Sequence, residues 1–67
     1  MEIILNDIRK KIESNSTLLS FANLEIGSEL NGIAIAVNET VIPKSDWTNY
    51  LLKENDNLLI IKATQGG

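Results

Sequence analysis

The sequence predicts an α+β domain, a sheet of four or five strands with one helix packed across one face. Three observations lead there. Short aliphatic and β-branched runs recur along the chain with turn residues between them. One segment, Ser14–Gly27, exchanges their period of two for a helical period. The chain has 67 residues, 43% of them apolar, which suits one small core and no second domain. Two packed layers bury the apolar faces of such elements against each other.

The elements follow in order. Glu2–Asn6 is a short aliphatic run ending in Asn6-Asp7, which reads as a strand entering a turn, with Ile3 and Leu5 as its core pair. In Ile8–Glu13, Ile8 and Ile12 share one face and Arg9 and Lys11 the other, the pattern of a half-buried second strand and hence a hairpin. Lys10 then falls on the apolar face and must snorkel out at an edge. A helical reading, pairing Ile8 with Ile12 four residues apart, stands as the alternative. Ser16 or Thr17 can cap a helix whose stripe is Leu18, Phe21 and Ala22, and Gly27 can stop it after at most about three turns. Ile33–Val37 is a strand with bulky Ile33, Ile35 and Val37 on one face and small Ala34 and Ala36 on the other. Asn38–Thr40 reads as a tight turn into a short strand ended by Pro43, which cannot donate to a ladder. The polar stretch Lys44–Asp56 dips inward at Trp47, Leu51 and Leu52, and Asn55-Asp56-Asn57 is a further turn. Leu58–Ala63 is the last strand.

Composition removes several kinds of function. There is no Cys, so disulfides are impossible, and no His either, so a Cys/His zinc site cannot be built. Six Lys+Arg against nine Asp+Glu leave a net charge of −3, which repels phosphate backbones and argues against nucleic acid. That charge suits a basic protein partner, or serves solubility alone. The start, MEIILND, lacks the basic segment and long apolar stretch of a signal peptide. The longest apolar run, Ile33–Val37, is far short of the ~20 residues that span a bilayer. A soluble cytoplasmic protein is the expectation, with no membrane partner.

Two features point to function. Leu58, Leu59, Ile60 and Ile61 are apolar on both faces, whereas a strand with one wet face alternates. With Leu58 and Ile60 facing the helix, Leu59 and Ile61 face out, together with Ile4. This predicts an exposed apolar patch for a protein partner, unless Trp47 or Tyr50 folds back over it. The second feature is the end of the sequence, Lys62-Ala63-Thr64-Gln65-Gly66-Gly67, where the side chains shrink and then vanish. Such an end can be an inert, frayed terminus. Directly after a final strand it can also be a thin probe reaching at most ~14 Å from Thr64 onward, able to carry a carboxylate down a narrow tunnel. A carboxylate is a poor electrophile until coupling to AMP gives it a good leaving group. The sequence has no Gly-rich phosphate loop, metal cluster or nucleophile–base pair that could perform this coupling, so ATP and Mg²⁺ belong to a partner enzyme and this chain itself binds no cofactor.

Residues 33–67 resemble the ThiS family of ubiquitin-like sulfur carriers of thiamine biosynthesis, within the wider ThiS/MoaD group. The likeness rests on the Ala-rich strand ending in Asn38, on Ile42-Pro43-Lys44 followed by Trp47, on Asp56 opening the last apolar strand, and on Gly66-Gly67. The first half agrees in layout through Ile3, Leu5, Asn6-Asp7 and Thr17-Leu18. Ser20 and Asn23 depart from the strong helix formers expected there and put the helix length in question. The resemblance implies a β-grasp fold with a mixed sheet over residues 1–63 and a flexible C-terminal tail over 64–67. It implies that the chain is no enzyme but a co-substrate of others. Gly67 would be adenylated by a ThiF-type adenylyltransferase, converted to a thiocarboxylate with sulfur from a cysteine-derived persulfide, and relieved of that sulfur by a ThiG-type thiazole synthase. Gly66 would supply narrow access, and Ile4, Leu59, Ile61 and Ala63 the partner-binding surface. The small subunit of molybdopterin synthase, which shares the thiocarboxylate chemistry, is the nearest alternative. A ubiquitin-like protein modifier or a plain binding module follows, the first forming isopeptide conjugates and the second indifferent to loss of the two glycines.

Overall fold

The computed structural model describes residues 1–62. Strands β1 (Glu2–Leu5) and β2 (Ile8–Lys11) are followed by helix α1 (Leu18–Glu25), strands β3 (Ile33–Val37) and β4 (Thr40–Val41), a single 3-10 turn (Lys44–Asp46) and strand β5 (Asn57–Lys62). The five strands form one mixed sheet in the order β2-β1-β5-β3-β4, with β1 and β5 parallel and every other pair antiparallel. One helix on one face of this sheet is the β-grasp arrangement.

Local chemistry explains the hairpins. Leu5 pairs with Ile8 around Asn6-Asp7, and Val37 pairs with Thr40 around Asn38-Glu39. All four turn residues have positive φ, between 47° and 74°. A two-residue hairpin loop of this kind matches the strand twist, and Asn and Asp tolerate the left-handed region better than most residues. The Ile8–Glu13 segment is therefore strand and not helix. Ile12 packs against the core, but Ile8 is 66% exposed, contrary to its expected place on the buried face. An eight-residue helix spans only about 12 Å. It reaches Lys10, whose ammonium meets Glu25 in its last turn at 2.6 Å, and Ile8 lies beyond that point.

The helix begins where a side chain can satisfy its free amides. Thr17 is the N-cap, and Ser20 completes a capping box in which each side chain accepts from the other's backbone N–H. Ser20, a weak helix former, is thus in place because of its hydroxyl. The remaining first-turn donors are met from outside: Leu18 N–H donates to the Tyr50 carbonyl and Leu19 N–H to that of Trp47. At the other end Ile26 caps the helix and Gly27 follows with φ +106°, a conformation that costs glycine nothing.

The core is built from alternate strand residues and one helix stripe. Ile3, Leu5, Ile33, Ile35, Val37 and Leu58 face Leu18, Phe21 and Ala22, and residues 44–52 close the open end with Trp47 and Leu52. Trp47 is buried on the helix side, its indole N–H donating to the Ile42 carbonyl at 2.8 Å. Lys44 lies over the same ring, 5.9 Å from its centroid. Leu51, expected inside, is instead 54% exposed. Tyr50–Leu52 runs alongside Ser16–Leu18 as a strand-like bridge, so Leu51 alternates outward when Leu52 points in.

Among the described residues one polar side chain is buried, that of Asp56. The Asp56 carboxylate accepts from Asn38 Nδ2 at 3.0 Å and from the Lys53 backbone N–H at 2.8 Å, while Asn38 Oδ1 accepts from the Asn57 N–H. These bonds clamp the β3–β4 hairpin to the start of β5. Asp56→Ala leaves two donors without their acceptor and is expected to lower the unfolding free energy by about 1–3 kcal/mol. In urea the midpoint should fall with an unchanged slope.

Candidate functional site

The sheet has two faces and the helix covers one. Alternation along each strand then decides what the other presents. Ile4 comes from β1, Leu59 and Ile61 from β5, Ala34 and Ala36 from β3, and Val41 from β4. The register brings them together: Ala34 lies opposite Ile61, and Ala36 lies between Leu59 on one side and Val41 on the other. Leu59 is 50% and Ile61 44% exposed, Val41 is exposed as well, and Ile4 is half-buried. Ala36 is covered, because its neighbours overhang its single methyl group. Neither Trp47 nor Tyr50 folds over this face. Trp47 is in the core, and Tyr50 packs against that core from the helix side.

An apolar patch of contiguous side chains on the open face of a small sheet marks an interaction surface. Its rim is charged. Arg9, across the hairpin from Ile4, bonds to Glu2 at 3.2 Å and to Asn55 Oδ1 at 3.3 Å. Three of the expected surface residues, Ile4, Leu59 and Ile61, therefore share the open face, Leu59 and Ile61 as neighbours along β5 and Ile4 opposite Asn57 at its start. Val41 belongs with them and was not anticipated. The signal was present: with Ile42 inward next to Pro43, the preceding residue must point out.

Strand β5 ends the described part of the chain from the middle of the sheet. It pairs with β3 as far as Lys62, opposite Ile33. On its other side it lies against β1, with Leu5 opposite Leu58. Ile60 N–H donates to Asn6 Oδ1 at 3.0 Å, continuing the contact past the end of β1. Ala63, Gly66 and Gly67, the remaining expected site residues, lie outside the described residues. Among the described residues no group of three His, Cys, Asp or Glu side chains is placed to hold a metal ion, and no helix is long and apolar enough to cross a membrane.

A sequence model of the ThiS family matches residues 3–67. The chain belongs to the ThiS family. Across its whole length, and the whole length of the relative, it is 22% identical to the sulfur carrier protein ThiS of Escherichia coli (strain K12). It is also similar to the solved structure of a thiamine biosynthesis protein (ThiS) from Geobacter metallireducens, with a TM-score of 0.86, 12% identity and complete coverage of both chains. At that identity the structural likeness speaks for the fold alone. For this ThiS-family chain, the residues behind the likeness have structural work. Trp47 fills the core and Lys44 covers it, while Asn38 and Asp56 form the clamp described above.

The exposure of the patch can be tested apart from its use. Leu59→Glu should change the unfolding free energy by no more than about 1 kcal/mol. Leu58→Ala, one position away but fully buried, should cost about 2–5 kcal/mol. Urea unfolding of both variants measures the contrast, and equal losses would mean the outer face is core.

Proposed function

We propose that this ThiS-family chain carries sulfur for thiamine biosynthesis on the carbonyl carbon of Gly67, and that the face formed by Ile4, Leu59 and Ile61 docks the enzymes that load and unload it. The general role, a sulfur carrier in thiamine biosynthesis, follows from family membership. The residues and the steps are our inference. The observation that carries them is that the family match runs through Gly66 and Gly67, on a chain whose last strand presents Leu59 and Ile61 to solvent.

The chemistry divides between the chain and its partners. The Gly67 carboxylate attacks the α-phosphorus of ATP in a ThiF-type adenylyltransferase, and pyrophosphate leaves. The acyl adenylate then loses AMP to the terminal sulfur of a partner's cysteine persulfide, giving an acyl disulfide. A second thiol attacks the cysteine sulfur of that bond, forming a disulfide and releasing the thiocarboxylate, which delivers its sulfur to a ThiG-type thiazole synthase. Mg²⁺ and ATP are the partner's requirement. This chain supplies an acyl group on a stem without Cβ atoms, which passes where side chains would clash. It also supplies a docking face that holds the stem in place, so that reaction at the tip gains from proximity. Ala63 would extend the docking face beyond Lys62.

Intact mass is the direct test. After incubation with ATP, Mg²⁺, the cognate adenylyltransferase, a persulfide source and a thiol reductant, the chain should gain the mass difference between sulfur and oxygen at a single site. Tandem mass spectrometry should place it on Gly67. Deleting Gly66 and Gly67 should abolish the gain while leaving the melting temperature unchanged. Gly66→Ala should also leave stability unchanged but slow adenylation by at least about tenfold, the effect of a misplaced reacting group. Wild-type sulfur loading after the double deletion would refute the assignment.

A further inference from the structure

A second surface lies on the helix side of the sheet, away from Leu59 and Ile61. Among the described residues β2 is an edge strand, with no neighbour beyond it. Met1 and Ile12 exchange both backbone hydrogen bonds, at 2.9 and 2.8 Å. Antiparallel pairing alternates, so Lys10 and Ile8 also bond inward to β1, and the N–H and C=O groups of Arg9 and Lys11 point out along the open edge. β4, at the opposite edge, has only two residues before Pro43. β2 is thus the longer open edge, and an unpaired edge is a template for another strand.

What flanks the edge selects the strand that would join it. Between β2 and α1 is a cavity of about 500 Å³, lined on its apolar side by Ile12, Phe21 and Leu24, with the Lys10–Glu25 ion pair spanning strand and helix. Leu24 is 88% exposed, so nothing in the described chain covers this side of the cavity. On the other face of the same strand stand Arg9 and Lys11. The run Arg9-Lys10-Lys11 holds half of the six basic residues of a chain whose net charge is −3. Arg9 pairs with Glu2 in an exposed ion pair and Lys10 with Glu25, and Glu13 also lines the cavity. Lys11 makes no ion pair among the described residues.

We propose that the open edge of β2 binds an extended acidic segment of a partner protein by strand addition. In the added strand, alternate residues face the two sides of the sheet. Apolar residues enter the cavity against Ile12, Phe21 and Leu24, and the intervening Asp or Glu residues meet Arg9 and Lys11 on the opposite face. Main-chain bonds to Arg9 and Lys11 hold the segment, and the alternation of apolar and acidic residues selects it. Arg9 and Lys11 lie at the β2 rim of the open face, so the added strand would sit beside the Leu59–Ile61 patch and not on it.

The test uses the full chain, ¹⁵N-labelled, titrated with a synthetic peptide that alternates valine and aspartate, and in parallel with one of equal length that alternates valine and lysine. The valine–aspartate peptide should shift the amides of β2 and of Leu24 and slow hydrogen exchange at Arg9 and Lys11. Lys11→Glu should weaken that binding by about tenfold and improve binding of the valine–lysine peptide. Leu24→Asp, at an exposed position that tolerates a charge, should weaken it similarly, and deletion of Gly66-Gly67 should leave it unchanged. Equal binding of both peptides, shifts centred on Leu59 and Ile61, or no shift in β2 at about millimolar peptide would each overturn the proposal. In the last case the basic run serves only to keep the edge from aggregating.

Discussion

The structure depends on the pairing of β5 between β1 and β3. The last strand of the chain lies at the centre of the sheet, parallel to the first and antiparallel to the third. Leu58 anchors it from below with no exposed surface, and the Asp56–Asn38–Asn57 clamp sets where it begins. A central strand has neighbours on both sides and cannot slip by one residue without moving its buried side chains to the wrong face. The segment that follows it is therefore launched from a fixed place. In the function proposed above, with the reactive group on Gly67, that fixed origin is what the folded body contributes to the tip.

Sidedness is the second consequence. A single eight-residue helix covers one face of a five-stranded sheet and leaves the other bare. The bare face would be polar in a domain that acted alone. Here it carries Leu59, Ile61 and Val41 around a pair of alanines, and the alanines keep its middle flat. The domain thus has a packed side, which provides stability, and an exposed apolar side, which we propose provides contacts. Substitutions on the two sides of one strand have different physical meanings for that reason.

The same logic separates what identifies the family from what does its chemistry. Of the Pro43-Lys44…Trp47 pattern, Trp47 belongs to the core, its indole bonded to the Ile42 carbonyl, while exposed Lys44 lies over its ring. Asn38 and Asp56 are hydrogen-bonded supports. They hold a small body together without disulfides, and in the function proposed above the chemistry is left to partners acting on Gly66 and Gly67.

Much of this was legible in the residues themselves. Positive-φ turns at Asn6-Asp7 and Asn38-Glu39, the cap at Thr17, the stop at Gly27 and the alternation of Ile33–Val37 are local, because backbone sterics and short-range hydrogen bonds act within a few residues. The doubled apolar face of β5 was also visible, since period two assigns Leu59 and Ile61 to the side opposite Leu58. Tertiary structure alone decided the rest. Ile8 is exposed because the helix ends before reaching it, and Leu51 is exposed because its segment pairs with Ser16–Leu18. Ser20 proved useful because Thr17 needed a reciprocal partner. Asp56 is buried because a turn from another part of the chain brings Asn38 to it. The strand order, with first and last strands side by side, is likewise a matter of which faces can be buried together, and that is a property of the assembled domain and not of any one segment.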